Sequence, residues 1–187
     1  MLEYEKKILL TKDEYLLLVA LAGKRPTKLI QKNYYFDTDD FAMNRKGVTC
    51  RIREKDGKFK ATIKSHCVEK KDCSFEYDLH EKDSFNPNAF QTIGLSLQGE
   101  LVTERIILHK DSACEVVVDK NTYLGKTDYE LEIEYAEGQE GQAEIWLAKL
   151  AAKLSREYLN ITVEQLVSRA NVAKSKSERF FQIRKQP

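Results

Sequence analysis

The stretch Asp128-Tyr129-Glu130-Leu131-Glu132-Ile133-Glu134-Tyr135 alternates without exception. At a period of two, its four carboxylates share one face and Tyr129, Leu131, Ile133 and Tyr135 the other, the pattern of an amphipathic strand. The N-terminus repeats it: in Leu2–Leu10, Glu3, Glu5 and Lys7 lie opposite Leu2, Tyr4, Ile8 and Leu10. Six segments between them follow suit. Leu29–Asp37 presents Gln31, Asn33, Tyr35 and Asp37; Val48–Glu54 presents Thr49, Arg51 and Arg53; Lys58–Ser65 presents Lys58, Lys60, Thr62 and Lys64. Ser74–His80 carries Glu76 and Asp78, Leu101–His109 carries Thr103 and Arg105, and Ala113–Asp119 carries Glu115 and Asp119. Asp56-Gly57 joins the third and fourth segments as a hairpin.

Helices punctuate this series. Thr11-Lys12-Asp13-Glu14 is a capping box ahead of Tyr15, Leu18, Val19 and Ala22 at helical spacing, and Gly23 ends the helix. Thr38–Gly47 reads as a loop, Pro87–Gly94 as a short helix or helical loop, Glu144–Tyr158 as an amphipathic helix, and Thr162 opens a short helix to about Val172. The tail Lys174–Phe181 reads as a last strand or an extended arm. At 187 residues the chain is expected to form one domain over 1–187.

Eight amphipathic strands can form a sandwich with its charged faces in water, or a barrel. A third arrangement turns the apolar faces outward under helices, so that the charged faces line a hydrated tunnel. The signs of the charges favour the third. The first and last strands are rich in carboxylate, whereas the polar faces of the third and fourth are basic, with two arginines on one arm and three lysines on the other. Like charges on paired strands repel. Such a face is tolerated when it is well solvated or binds an anion. Sorted signs suit a polyanion that carries a divalent cation: carboxylates take the hard metal, and arginine and lysine take phosphate oxygens. The expected fold class is therefore α+β: an eight-stranded antiparallel closed β-barrel with a charged lumen and helices packed outside.

With 31 basic and 30 acidic residues the net charge is +1, so no global field points to nucleic acid or to a membrane surface. The longest apolar run, Leu16–Ala22, is too short to span a bilayer. The chain begins directly with its acidic strand, with no signal-peptide pattern. Cys50, Cys67, Cys73 and Cys114 show no C-x-x-C spacing and read as reduced thiols in a cytoplasmic protein. His66, His80 and His109 match no motif and receive no role.

These residues resemble a known family. Glu3-x-Glu5-x-Lys7 is similar to the E-x-E-x-K signature of the CYTH domain, or triphosphate tunnel metalloenzymes. In the same order follow Asn33–Thr38, Arg51-Ile52-Arg53, Ala61–Lys64, Thr103-Glu104-Arg105, Val118-Asp119, Asp128–Glu134, and Lys176 ahead of Arg179-Phe180-Phe181. The resemblance spans essentially the whole chain and is nearest to the short CYTH proteins of Gram-positive bacteria. One departure is Ser74-Phe75-Glu76, which lacks the family's Arg-x-Glu variant.

The resemblance implies a triphosphate tunnel, Mg²⁺ or Mn²⁺, and hydrolysis of inorganic tripolyphosphate, thiamine triphosphate or nucleoside triphosphates. It implies metal ligation by Glu3, Glu5, Glu130, Glu132 and Glu134, and phosphate binding by Lys7, Arg51, Arg53, Lys64, Arg105 and Lys176. Glu3, Glu5, Lys7 and Arg53 stand at the chemistry, and Glu76 and Asp119 are further candidates for metal or water positioning. Two alternatives remain open: a class IV-type adenylyl cyclase and a non-catalytic polyphosphate- or nucleotide-binding module. A homodimer through outer strands or helices is a further expectation.

Overall fold

A computed structural model describes residues 2–23, 26–67, 72–155 and 161–186. Its strands are β1 (Leu2–Leu10), β2 (Lys28–Asp37), β3 (Val48–Lys55), β4 (Lys58–His66), β5 (Cys73–Lys82), β6 (Ser96–Lys110), β7 (Cys114–Tyr123) and β8 (Lys126–Tyr135). They close into an antiparallel barrel in the order β1-β5-β4-β3-β2-β6-β7-β8. The helices are α1 (Lys12–Leu21), α2 (Ala42–Arg45), α3 (Asn88–Gln91), α4 (Glu140–Leu154), α5 (Val163–Val172) and α6 (Lys176–Arg184).

The alternation read from the sequence sets the barrel inside out. Outward-facing Ile8, Leu10, Val116, Val118, Leu131 and Ile133 pack beneath Tyr15 and Leu18 of α1, Leu147 and Leu150 of α4 and Leu166 of α5. Phe36, Cys50, Ile52 and Ala61 pack with Phe90 of α3 on another side of the barrel. Each fully buried Leu, Ile or Phe contributes about 1.5–3 kcal/mol, so these outer layers supply most of the hydrophobic stabilisation. On β5, Phe75, Tyr77 and Leu79 stay exposed. Among the described residues no helix is long and apolar enough to cross a membrane.

Several boundaries differ from the sequence reading. β6 starts at Ser96 and β7 runs to Tyr123, both extending the expected strands. The Thr38–Gly47 loop holds the one-turn α2. α4 begins at Glu140; the expected helix end at Tyr158 lies outside the described residues. The tail is neither strand nor arm but helix α6. Ser175 accepts from the Glu178 backbone N–H and Glu178 reaches back to Ser175, a capping box that starts a helix there. Cys67 and Cys73 form a disulfide across the β4–β5 connection, contrary to the expectation of four reduced thiols, while Cys50 and Cys114 are free. The spacing was no guide, because the hairpin brings the two Cα atoms to 5.4 Å.

Helix α6 plugs one end of the barrel. Phe180 and Phe181 bury among the inward-facing Tyr35, Leu101 and Tyr123. Gly99 makes room: a Cβ there would sit 3.0 Å from Phe180 Cζ, and its φ of +141° is one that L-residues avoid.

Candidate active site

The lumen is a cavity of about 260 Å³ lined by β1, β2, β3, β4, β6, β7, β8 and the start of α6. Its open end is bordered by Leu29, Lys55, Ile107, Lys110 and Glu115. The strand registers bring distant residues together. β1 pairs with β8 so that Glu5 lies opposite Glu134 and Lys7 opposite Glu132. On the other side of β8, Glu115 of β7 also faces Glu134. Glu134 is thus flanked by a carboxylate on each neighbouring strand, a destabilising arrangement unless a cation intervenes. Burial and the nearby Glu132 push its carboxyl upward.

Glu5, Glu132 and Glu134 each place a carboxylate oxygen within 4.8 Å of the others. Lys7 Nζ lies 3.1 Å from Glu5 and 3.6 Å from Glu132. Burial raises the Glu5 carboxyl, but the ammonium groups of Lys7 and Lys64 outweigh it and bring it down to about 2. Lys64 Nζ bridges Glu3 at 2.7 Å and Glu5 at 3.2 Å.

A second carboxylate cluster, Asp119, Glu130 and Glu132, is filled from within the chain. Lys176 Nζ stands 2.8 Å from Asp119 and 2.8 Å from Glu132, and also contacts Glu130. Burial would lower the Lys176 ammonium, but these carboxylates hold it well above its ordinary value. Glu130 is fully buried, accepts from Arg179 Nη2 at 2.7 Å, and does not line the cavity. Arg105 binds Asp119 through Nε at 2.9 Å and Nη2 at 2.8 Å, and also contacts Glu132 and, at 3.4 Å, Glu134.

The basic wall is built by β3. Arg51 donates to Thr62 at 3.1 Å and to Glu76 at 2.8 Å. Arg53 differs from every other lumen arginine. Its Nε donates to the Asn33 amide oxygen at 3.0 Å, yet among the described residues no carboxylate pairs with it. Burial and the neighbouring Arg51 guanidinium bring it down to about 10. Among the described residues the lumen therefore holds a guanidinium that no carboxylate contacts directly, Glu76 acting on it only from beyond ion-pair distance.

Of the residues named from sequence, Glu3, Glu5, Lys7, Arg51, Arg53, Lys64, Arg105, Glu132, Glu134 and Lys176 line the cavity; Glu130, Glu76 and Asp119 stand behind it as ion-pair partners. Sequence reading missed Arg179 as a tether. It joins Asp128 at 2.8 Å and Glu130 at 2.7 Å, anchoring the plug helix to β8. The Ser175–Glu178 capping box was the available signal. Thr49 and Ser177 were missed too; their hydroxyls meet at 2.8 Å where α6 enters the barrel.

The CYTH domain family matches residues 1–167. This chain belongs to the CYTH family. It is 33% identical over 156 residues, 75% of this chain and 81% of the other, to a Bacillus subtilis (strain 168) protein named "Putative triphosphatase YjbK". Among solved structures, a Bacillus halodurans protein described as a "putative adenylate cyclase" superposes with a TM-score of 0.67 at 24% identity, covering 96% of this chain and 97% of that one. HpAC1 from Hippeastrum, a "putative adenylyl cyclase" described as having a dominant triphosphatase activity, superposes with a TM-score of 0.56 at 19% identity, covering 80% and 87%. At these identities the two structures establish the shared fold.

Proposed function

We propose that this CYTH protein is a metal-dependent hydrolase of triphosphate compounds, with inorganic tripolyphosphate as its preferred substrate class. The observation that carries this reading is Arg53, an arginine that no carboxylate contacts among the described residues, facing a cavity whose opposite wall is carboxylate. A buried guanidinium without an anion is costly, and a phosphate oxygen pair matches its fork. Arg51, Lys64, Arg105 and Lys7 flank the same space. The CYTH relative named as a triphosphatase supports the reading.

The donor set also fits a metal. Glu5, Glu132 and Glu134 offer only oxygen, and Glu134 is pressed by carboxylates on both neighbouring strands, which suits a hard divalent cation such as Mg²⁺ or Mn²⁺. Bound there, such an ion supplies charge neutralisation to the phosphate chain. The residues do the rest. Arg53 and Arg51 grip non-bridging oxygens, and Lys7, Lys64 and Arg105 spread the developing charge. Glu3 and Glu5 orient the attacking water. Its oxygen bonds to the terminal phosphorus, the phosphoanhydride P–O bond breaks, the water's proton passes to a lumen carboxylate, and orthophosphate and diphosphate leave.

The open end favours an inorganic chain over a nucleoside. Tyr35 is the sole Phe, Tyr or Trp on the described cavity wall, and it packs tilted against Phe180 at the plugged end, 4.9 Å between centroids. Among the described residues no other Phe, Tyr or Trp lines that cavity to hold a base. The test is phosphate release from tripolyphosphate, thiamine triphosphate, ATP and pyrophosphate, with Mg²⁺ or Mn²⁺ and with chelator, alongside mass spectrometry for cyclic AMP. Metal-dependent release, greatest from tripolyphosphate, is expected. Binding without release from any substrate, or cyclic AMP from ATP, would overturn the assignment.

A further inference from the structure

Outside the lumen, the β6–β7 connection carries a second constellation. Strict alternation from Arg105 and Ile107 would aim His109 into the cavity. The register between β6 and β7 shifts between Ile107 and His109. This irregularity re-aims the side chain, and the His109 ring packs instead against Trp146 of α4, 4.6 Å between centroids and tilted by 32°. Its Nε2 lies 2.8 Å from Asp111 Oδ2. The other oxygen, Oδ1, accepts the backbone N–H groups of Ala113 and Cys114, both at 2.8 Å. Cys114 is a free cysteine whose residue is 4% exposed. One donor atom from each of His109, Asp111 and Cys114 lies within 4.8 Å of the other two.

We propose that His109, Asp111 and Cys114 form an outer binding site for a borderline divalent cation, best matched by Zn²⁺, separate from the carboxylate cluster in the lumen. The donor chemistry distinguishes the two. The lumen offers oxygen alone, which suits hard ions; the outer set offers imidazole nitrogen, carboxylate oxygen and thiolate sulfur, which suits zinc. Zn²⁺ binding would release the Cys114 thiol proton to solvent, and the thiolate with the Asp111 carboxylate would then supply two negative charges, matching the ion.

Each donor is positioned by a different support: the ring by Trp146, the carboxylate by two backbone N–H groups, and the sulfur by its burial at the start of β7. Such support orients ligands before the ion arrives. A groove of about 290 Å³ reaches Asp111 and Cys114 and provides an entry path; it also touches Glu3, Glu5 and Glu134, so the outer cluster opens beside the carboxylate side of the lumen and differs from it in its donors. Three protein donors leave a fourth tetrahedral position for water. An ion there would brace the β6–β7 turn across its two strands.

The test uses the full chain, stripped with chelator, and Co²⁺ as a coloured stand-in for Zn²⁺. The wild type is expected to develop a thiolate-to-cobalt charge-transfer band, which the oxygen-only lumen cannot produce. The band should vanish in Cys114→Ser and persist in Glu132→Gln. Zn²⁺ affinity by calorimetry should fall more than about 100-fold in His109→Ala, beyond the loss typical of a supporting residue. His109 and Asp111 are partly or fully solvent-exposed, so His109→Ala and Asp111→Asn keep the test open should Cys114→Ser fold poorly. The proposal is overturned if the wild type gives no such band, if the band survives Cys114→Ser, or if Zn²⁺ binds His109→Ala as tightly as the wild type. The His109–Asp111 contact would then be only an ion pair closing a turn. Phosphate release from tripolyphosphate should be unchanged in His109→Ala, so this result and that of the lumen assignment are read separately.

Discussion

Replacing Arg53 by glutamine separates a binding residue from a structural one. Arg105 and Arg53 both line the lumen, but Arg105 binds Asp119, Glu132 and Glu134, whereas among the described residues Arg53 donates to the Asn33 side chain and pairs with no carboxylate. In Arg53→Gln the folded protein loses one neutral-acceptor hydrogen bond, about 0.5–1.5 kcal/mol, and is relieved of repulsion from Arg51. Net stability should change by less than about 1 kcal/mol. Arg105→Ala instead leaves fully buried Asp119 short of its bidentate partner, and breaking such a pair costs about 3–5 kcal/mol, a large part of the 5–15 kcal/mol or so that holds a domain folded. Binding runs the other way. A charge-assisted contact to phosphate contributes about 1.5–3 kcal/mol, so Arg53→Gln should weaken tripolyphosphate binding by about 10- to 150-fold. Calorimetric titration and thermal melts of both variants are the assays. Unchanged affinity in Arg53→Gln, or a stability loss equal to that of Arg105→Ala, would refute the argument that an unpaired guanidinium is kept for an anion.

Other perturbations follow from the same geometry. Glu134→Gln removes repulsion from Glu5, Glu115 and Glu132, so the metal-free protein should melt higher while Mg²⁺ no longer raises its melting temperature; a lower metal-free melting point would contradict the crowding. Because the Glu5 carboxyl lies at about 2 in the folded protein, below the ordinary 4.5, its stabilising contribution is complete above pH 4.5 and is lost as pH falls towards 2. Chelator-treated Glu5→Gln should therefore show a shallower fall of melting temperature across that window than the wild type, and equal slopes would exclude the effect. Gly99→Ala forces a Cβ to 3.0 Å from Phe180 Cζ at a φ of +141°; it should destabilise by about 1–3 kcal/mol in denaturant melts, and a neutral outcome would mean that the plug helix is looser than described.

The barrel was legible because a two-residue period needs no partner to be seen. Alternation placed Glu5, Arg53 and Glu134 on inward faces before any pairing was known, and the order of signs along the chain pointed to a tunnel. What stayed hidden depends on pairing. Sequence makes phosphate ligands of both Arg53 and Arg105, since nothing local tells which arginine meets Asp119 across β6 and β7. Lys176 reads as one of several phosphate-facing cations until α6 carries it against Asp119, Glu130 and Glu132. The α6 helix was obscured because Lys174–Phe181 also alternates loosely, and its two phenylalanines at adjacent positions fit neither a strand face nor a helix stripe; they fill the round end of a barrel. His109 was concealed by the β6 irregularity, which breaks the parity that sequence reading relies on.

Every lumen carboxylate at the candidate metal cluster already contacts a lysine or arginine: Glu5 holds Lys7 and Lys64, Glu132 holds Lys7, Arg105 and Lys176, and Glu134 holds Arg105. Binding is therefore an exchange of partners. A metal ion alone must displace Lys7 or Arg105 from the carboxylates and leave ammonium or guanidinium groups unpaired in a poorly solvated space. Tripolyphosphate alone draws Lys64 and Lys7 away from Glu3 and Glu5 and leaves those carboxylates unpaired. When both arrive, each carboxylate exchanges a lysine or arginine for the metal, each cation exchanges a carboxylate for phosphate, and no charge is stranded. The two ligands should then bind cooperatively, each raising the other's affinity by the same factor, as linkage requires. A coupling of about 1–3 kcal/mol, roughly 5- to 150-fold, is the expected range. Calorimetric titration of tripolyphosphate at several concentrations of Ca²⁺, an oxygen-preferring ion outside the Mg²⁺ and Mn²⁺ pair assigned to turnover, measures it after correction for the ion's own complex with tripolyphosphate. Independent binding, with affinities unchanged across the series, would show that the lumen ion pairs stay closed and that phosphate is held by Arg53 and its neighbours without the exchange.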